Sequence, residues 1–314
     1  FMPSSWGLAG QIIHADISLP KPFFNQGNHF LLDKVTLPKM KPRSLFGHKN
    51  SFGNLLIIGG SSGKTGAASL AASAALKMGS GLVTVATFEN AYQELMSKLS
   101  PELMSISIKF DDQYPNYRDQ LKSFDAILIG PGLSTSPESY KLVCDVAMEY
   151  AGPIIIDADG INCLNEKIQQ ILAERKFPTI LTPHFGEMVR LSKDTKENLL
   201  GNPIGISMQF AEKLNACIVL KGAATFICES GQAVSIHYDP NDALAKAGSG
   251  DVLAGMIASF VASGFTSYDA SKLGVYFHSQ VGKVLQKEIG SRSSTAYDII
   301  DNIPPVMKEF DYTL

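Results

Sequence analysis

After Ser51 the chain is punctuated by short apolar runs: Leu55–Ile58, Leu82–Ala86, Ala126–Ile129, Pro153–Ile156, Thr179–Leu181 and Cys217–Leu220. Each run is continuous rather than alternating, which predicts strands covered on both faces, as in a parallel sheet. Helical stretches lie between them. Gly66–Met78 is rich in Ala and Leu, Glu89–Leu99 carries apolar residues at helical spacing, and Pro137–Tyr150 opens with proline at a favoured first-turn position. This alternation predicts an α/β fold of right-handed βαβ units, a doubly wound sheet. The grammar then shifts. Ala216–Leu220, Thr225–Cys228 and Ala233–Tyr238 are joined by very short links, predicting a hairpin or meander at one sheet edge. From Ala243 onward the pattern is helical, with Leu273, Phe277, Val281, Val284 and Leu285 on one apolar face. Before Arg43, Pro3, Pro20, Pro22, Pro38 and Pro42 and the basic Lys39 and Lys41 predict an extended, poorly packed tail. The expected organisation is a tail over residues 1–42 and one α/β domain over residues 43–314.

Composition narrows the function classes. The 314 residues are 45% hydrophobic and 18% charged, the balance of a globule able to bury a large core without staples. With Lys+Arg 27 against Asp+Glu 30 the net charge is −3, which argues against nucleic acid or an anionic membrane surface as the main partner. The longest apolar stretch, residues 67–86, is broken by Lys77 and glycines, so no membrane span is expected. Cys144, Cys163, Cys217 and Cys228 form no C-x-x-C pair and read as free thiols of a reducing compartment, in keeping with a cytoplasmic protein.

In an open α/β sheet ligands bind beyond the carboxyl ends of the strands, so the residues following each apolar run carry the chemistry. Gly59-Gly60-Ser61-Ser62-Gly63-Lys64-Thr65 nearly spells a P-loop, but Ile58 occupies the position of the first glycine and the cradle is one residue short. A plain strand-to-helix link is the competing reading. Gly130-Pro131-Gly132 is a rigid turn. Thr182-Pro183-His184-Phe185-Gly186-Glu187 delivers a His and a Glu at a helix start, where Glu also complements the helix dipole. Lys221-Gly222-Ala223-Ala224-Thr225 places one Lys at a hairpin bend, suited either to a nucleotide or to solvent. Ala247-Gly248-Ser249-Gly250-Asp251 leads into a long helix. There the backbone N–H groups of Gly248, Ser249 and Gly250 converge as an anion hole, and Asp251 is a candidate general base for phosphoryl transfer. The alternative for Asp251 is a helix cap.

These segments, with Asp157-Ala158-Asp159-Gly160 and Asn241-Asp242-Ala243-Leu244-Ala245-Lys246, resemble the ribokinase-like superfamily. Within it they are most similar to the ADP- or ATP-dependent NAD(P)H-hydrate dehydratases, from about Gly47 to the C-terminus. His184 discriminates, because sugar and vitamin kinases of the superfamily usually carry Asn there. The resemblance implies a three-layer α/β/α sandwich with a mostly parallel sheet and an antiparallel edge. It implies that Ala68, Gly132, His184 and Asp251 contact hydrated NADH or NADPH (NADHX, NADPHX). Lys221, Gly222, Ala223, Ala224 and Thr225, with Gly250, would hold ADP or ATP, and Glu187 would organise Mg2+ through water. It further implies a homo-oligomer, a tetramer or larger. Ala247 and Ser249 depart from the common Gly and Thr of the last motif, and Asp242 from a common Gly. Gly7 to Pro20 look like the closing strand of an NAD(P)H-hydrate epimerase domain, which with the Phe start implies the C-terminal part of a bifunctional protein or a chain that has lost its epimerase. A small-molecule kinase of the same fold and a P-loop-like NTPase are the competing functions.

Overall fold

The computed structural model describes residues 27–40, 42–109 and 117–311; the epimerase-like stretch Gly7–Pro20 lies outside them. The described strands are β1 (His29–Leu31), β2 (Asn54–Ile58), β3 (Leu82–Phe88), β4 (Met104–Ile108), β5 (Ala126–Ile129), β6 (Ile154–Ile156), β7 (Thr179–Leu181), β8 (Cys217–Leu220), β9 (Ala224–Cys228) and β10 (Val234–Tyr238). They form one sheet in the order β1-β10-β9-β8-β7-β6-β5-β2-β3-β4. From β4 to β8 every pairing is parallel; β9 runs antiparallel to both β8 and β10. The expected α/β sandwich with an antiparallel edge is therefore the fold observed.

Helices cover both faces. On one side lie α1 (Thr65–Met78) and, beside it, α2 (Glu89–Met96). The other face carries α3 (Arg118–Leu121), α4 (Pro137–Glu149), α5 (Asp159–Asn162), α6 (Glu166–Glu174), α7 (Phe185–Ser192), α8 (Lys196–Gly201) and α9 (Pro203–Leu214). The chain then returns to the first face with α10 (Ser249–Ala262), α11 (Ser267–Glu288), α12 (Ala296–Asp301) and α13 (Ile303–Asp311). Because both faces are covered, successive strand residues alternate between two apolar cores. Leu55, Ile57, Val83 and Val85 face α1 and α10, while Leu56, Ile58, Ile127 and Ile129 face the α4–α9 side. Alternation of burial partner with no alternation of polarity is why the central runs read as continuous.

Two strands escape the pattern for a physical reason. β4 interleaves serines with apolar residues and is largely uncovered, as suits the sheet margin, so no continuous run marks it. β1 falls in the stretch read as a poorly packed tail, yet it pairs parallel with β10 in the register His29↔Val234 to Leu31↔Ile236. Its three residues are exposed and only Leu32 after it enters the core. The strand is held by backbone hydrogen bonds rather than by an apolar face, and it covers the open edge of β10.

Candidate active site

The carboxyl ends of β2, β5, β6, β7 and β8 point the same way, and the N-terminus of α10 meets them there. The glycine-rich loop after β2 is not an open phosphate cradle. Gly60 N–H donates to Pro131 O (2.9 Å), Ser61 N–H to Gly132 O (2.6 Å) and Lys64 N–H to Ser61 O (2.8 Å). Gly63 N–H donates to Glu94 Oε2 at 2.9 Å, and Thr65 Oγ1 to Glu94 Oε1 at 2.8 Å. That N–H bond, with Lys98 and Thr65, draws the Glu94 carboxyl down to about 2. Lys64 Nζ lies 3.2 Å from Asp159 Oδ2. The loop's donors thus face protein, so the P-loop reading fails and the strand-to-helix link stands.

The glycines of the neighbouring turn are there for contact. Gly132 has φ +63°, and a Cβ on it would stand 2.4 Å from Lys64 O. Gly132 is buried, and Ala68 is wholly enclosed under Gly59 and Gly60. The Ala68 methyl packs beneath the loop. Ala224 is likewise wholly enclosed, at the start of β9.

His184 is the N-cap of α7. Its Nδ1 accepts from Glu187 N–H at 3.1 Å while its own N–H donates to Glu187 Oε2 at 2.8 Å, a reciprocal capping box. The His184 side chain remains 54% exposed, so its outer edge is available to a ligand, whereas Glu187 is 7% exposed. Burial, opposed by Lys221 and reinforced by Asp157, raises the Glu187 carboxyl above its ordinary value. Lys221 begins where β8 ends. Its N–H donates to Pro183 O at 2.8 Å, and its ammonium reaches Asp157 Oδ1 at 2.8 Å. Asp157 is 1% exposed and accepts at the same oxygen from Thr182 Oγ1 at 2.7 Å. Burial pulls the Lys221 ammonium down, but Asp157, Glu187 and Asp251 outweigh it and leave it above its ordinary value.

At the mouth of α10, Gly248 takes the left-handed conformation at φ +88° as N-cap. Ser249 N–H donates to Lys246 O at 3.2 Å, so it does not belong to the anion hole. The N–H groups of Gly248, Gly250 and Asp251 have no acceptor among the described residues. The N-cap Gly248 offers no side-chain cap, and among the described residues the Asp251 side chain makes no hydrogen bond, against its reading as a cap. Burial first, then Asp157, Glu187 and Asp159, push the Asp251 carboxyl up to about 7, with Lys221 opposing. A Cβ on Gly250 would lie 3.4 Å from Lys221 Nζ, so the ammonium sits at this helix mouth.

Next to it opens a cavity of about 910 Å³ lined by His184, Lys221, Gly222, Ala223 and Thr225 on one side and by Asn241, Leu244, Lys246, Ser249, Gly250 and His278 on the other. Its size and its mix of apolar walls with a few polar groups suit a nucleotide. His278, beneath Ser249 Oγ at 3.1 Å, is driven down to about 4 by burial and so is neutral.

Residues 55–305 match the family described as NAD(P)H-hydrate dehydratase. The chain belongs to that family. An ADP-dependent (S)-NAD(P)H-hydrate dehydratase of Xanthomonas campestris is 31% identical over 267 residues, 83% of this chain and 90% of that protein. A bifunctional NAD(P)H-hydrate repair enzyme of Moorella thermoacetica is 34% identical over 97% of this chain, which spans 59% of that relative's length. The crystal structure of an ADP/ATP-dependent NAD(P)H-hydrate dehydratase from Bacillus subtilis, co-crystallised with ATP and Mg2+, superposes with TM-score 0.74 at 28% identity over 87% of this chain and 95% of that one.

The dehydratase-family residues do not build a resident metal site. Among the described residues no group of three or more His, Cys, Asp or Glu could hold an ion. Both Glu187 oxygens are turned to His184, which does not fit direct ligation. Mg2+ suits this site as part of a metal–nucleotide substrate, held by phosphates and water. Sequence reasoning left Asp157 and Thr182 without roles and did not find Glu94 or His278. Asp157 had a signal, an acid directly beyond a buried strand; Glu94 and His278 sit inside helices and carry none.

Proposed function

We propose that this chain, with ADP or ATP as phosphoryl donor, converts (S)-NADHX and (S)-NADPHX to NADH and NADPH. Asp251 takes the proton of the hydrate hydroxyl as that oxygen attacks the terminal phosphorus, and AMP or ADP leaves. The C–O bond of the phosphorylated hydrate then breaks, expelling orthophosphate with the help of the ring-nitrogen lone pair, and loss of a proton restores the dihydropyridine. Lys221 and the free N–H groups of Gly248, Gly250 and Asp251 face the charge that develops on the transferred group. His184 and the Gly132 turn flank the hydrate, and Lys221–Thr225 with Gly250 flank the nucleotide. The single observation that supports this best is Asp251: an uncapped, half-buried acid near neutrality beside open backbone donors. ADP is the expected donor. An NAD(P)H-hydrate epimerase domain, fused or separate, a tetrameric or larger assembly and a cytoplasmic location complete the reading. In support of the last, no helix among the described residues is long and apolar enough to cross a membrane.

The test is incubation with hydrated NADH, Mg2+ and ADP or ATP. Return of NADH absorbance with one orthophosphate released per NADH supports the reading. A stable phosphorylated product without NADH would make the protein a kinase, and absence of any nucleotide dependence would reject phosphoryl transfer.

A further inference from the structure

The buried Asp157 is, with Glu187 and Asp159, an acid at this site that the chemistry above does not use. It stands at the end of β6, 1% exposed, with one oxygen receiving both the Lys221 ammonium (2.8 Å) and the Thr182 hydroxyl (2.7 Å). The residue after it, Ala158, is held at φ 50°, ψ −122°, a conformation L-residues avoid, so the backbone here is strained to aim its neighbours. Lys221 is in turn held from its backbone side by Pro183 O. Lys221 is thus anchored at its backbone and at its ammonium, which lies beside Gly250.

We propose that Asp157 is a positioning residue of the proposed dehydration: its carboxylate, 2.8 Å from the Lys221 ammonium, holds that charge at the mouth of α10 beside Gly250 and Asp251. The inference rests on the phosphoryl-transfer reading but concerns a different residue and a different observable. The charged groups that bear on Asp251 are Asp157 and Asp159 beyond β6, Glu187 on α7 and Lys221 beyond β8. His184 lies beside Glu187, and His278 beneath Ser249. Of the acids, Asp157 acts most strongly on Asp251. Removing its charge weakens the repulsion and leaves Lys221 free to attract Asp251 instead. Both changes favour ionised Asp251, so both act in the same direction.

The test compares wild type, Asp157→Asn and Lys221→Gln. Asn keeps the shape and can still accept from Thr182 and Lys221, so circular dichroism is expected to match wild type. In Asp157→Asn the ascending limb of kcat/KM against pH shifts to lower pH by about one unit, and the nucleotide KM rises on the order of tenfold. In Lys221→Gln the limb shifts the opposite way. A merely structural role lowers kcat in both variants and leaves the limb in place, which overturns the proposal. The Asp251 carboxyl is also titrated by NMR of 13C-aspartate-labelled protein without any substrate, its signal identified by its loss in Asp251→Asn. Midpoints displaced downward in Asp157→Asn and upward in Lys221→Gln support the inference even where wild type shows no turnover, a result that would reject only the proposed function. An unmoved midpoint in both variants overturns the inference even where wild type is active. Should Asp157→Asn fail to fold, Asp157→Ser, which also removes the charge and keeps an acceptor for Lys221, is titrated in its place, and an unmoved midpoint there overturns the inference.

Discussion

At the scale of single residues the proposed chemistry depends on keeping one carboxyl out of balance with water. Asp251 → Asn keeps the size of the side chain and removes the base, so kcat is expected to fall about a hundredfold or more while hydrated-dinucleotide binding, read by titration calorimetry, stays nearly unchanged. The same residue makes a stability prediction. Its carboxyl lies near 7 in the folded protein against an ordinary 3.8. Between these values the folded state holds a proton that the unfolded state has lost, so stability falls as pH rises through that window and then levels off. Asp251→Asn is therefore expected to melt a few degrees higher than wild type at pH about 8, with the gap closing near pH about 4 in scanning calorimetry. The sequence singled out the Asp251 position because glycines flank a helix start, and the structure does begin a helix there. The packing of the Ala68 methyl beneath the glycine loop was not legible, since a buried and an exposed alanine have the same letter. Nor was the loss of the Ser249 N–H, which follows from a turn closing on Lys246 O.

Elements tell a related story about shared duties. His184 both opens α7 and presents its outer edge to the cavity. His184→Ala removes the acceptor for Glu187 N–H and is expected to cost about 1 kcal/mol in urea unfolding, whereas Asn, a strong N-cap, restores that stability. Hydrated-dinucleotide affinity is expected to fall in both variants. Recovery of affinity with Asn would mean that His184 serves α7 alone. The central strands and α1, α2 and α4 were readable to within a few residues, because both-sided burial writes a continuous apolar run and Pro137 and Gly79 punctuate helix ends. β1 and β4 were not readable, because a margin strand held by backbone hydrogen bonds leaves little trace in side-chain pattern. The near-P-loop was legible as defective from Ile58 alone; that Glu94 takes up its donors required α2 to be placed against α1.

For the molecule as a whole, two cores on opposite faces of one sheet carry the stability and leave one end of the sheet for chemistry. Because ligand binding to the folded state alone raises its stability, saturating ADP is expected to lift the melting temperature by several degrees. Lys64→Ala is expected to retain that rise in full, since Lys64 pairs with Asp159 and lies outside the nucleotide cavity; losing it would revive the P-loop reading. The fold class and the edge meander were foreseeable from the order of runs, while the convergence of five loops and one helix mouth could be inferred only from the rule that parallel strands end together. One feature of the cavity reaches further. Apart from His184, its lining comes from residues between Lys221 and Gln286, whereas the Gly132 turn, proposed to flank the hydrate, comes from earlier in the chain. Under the proposed reading Asp251 shares that later stretch with the nucleotide's contacts, so a change there that alters the choice between a diphosphate and a triphosphate also bears on the base.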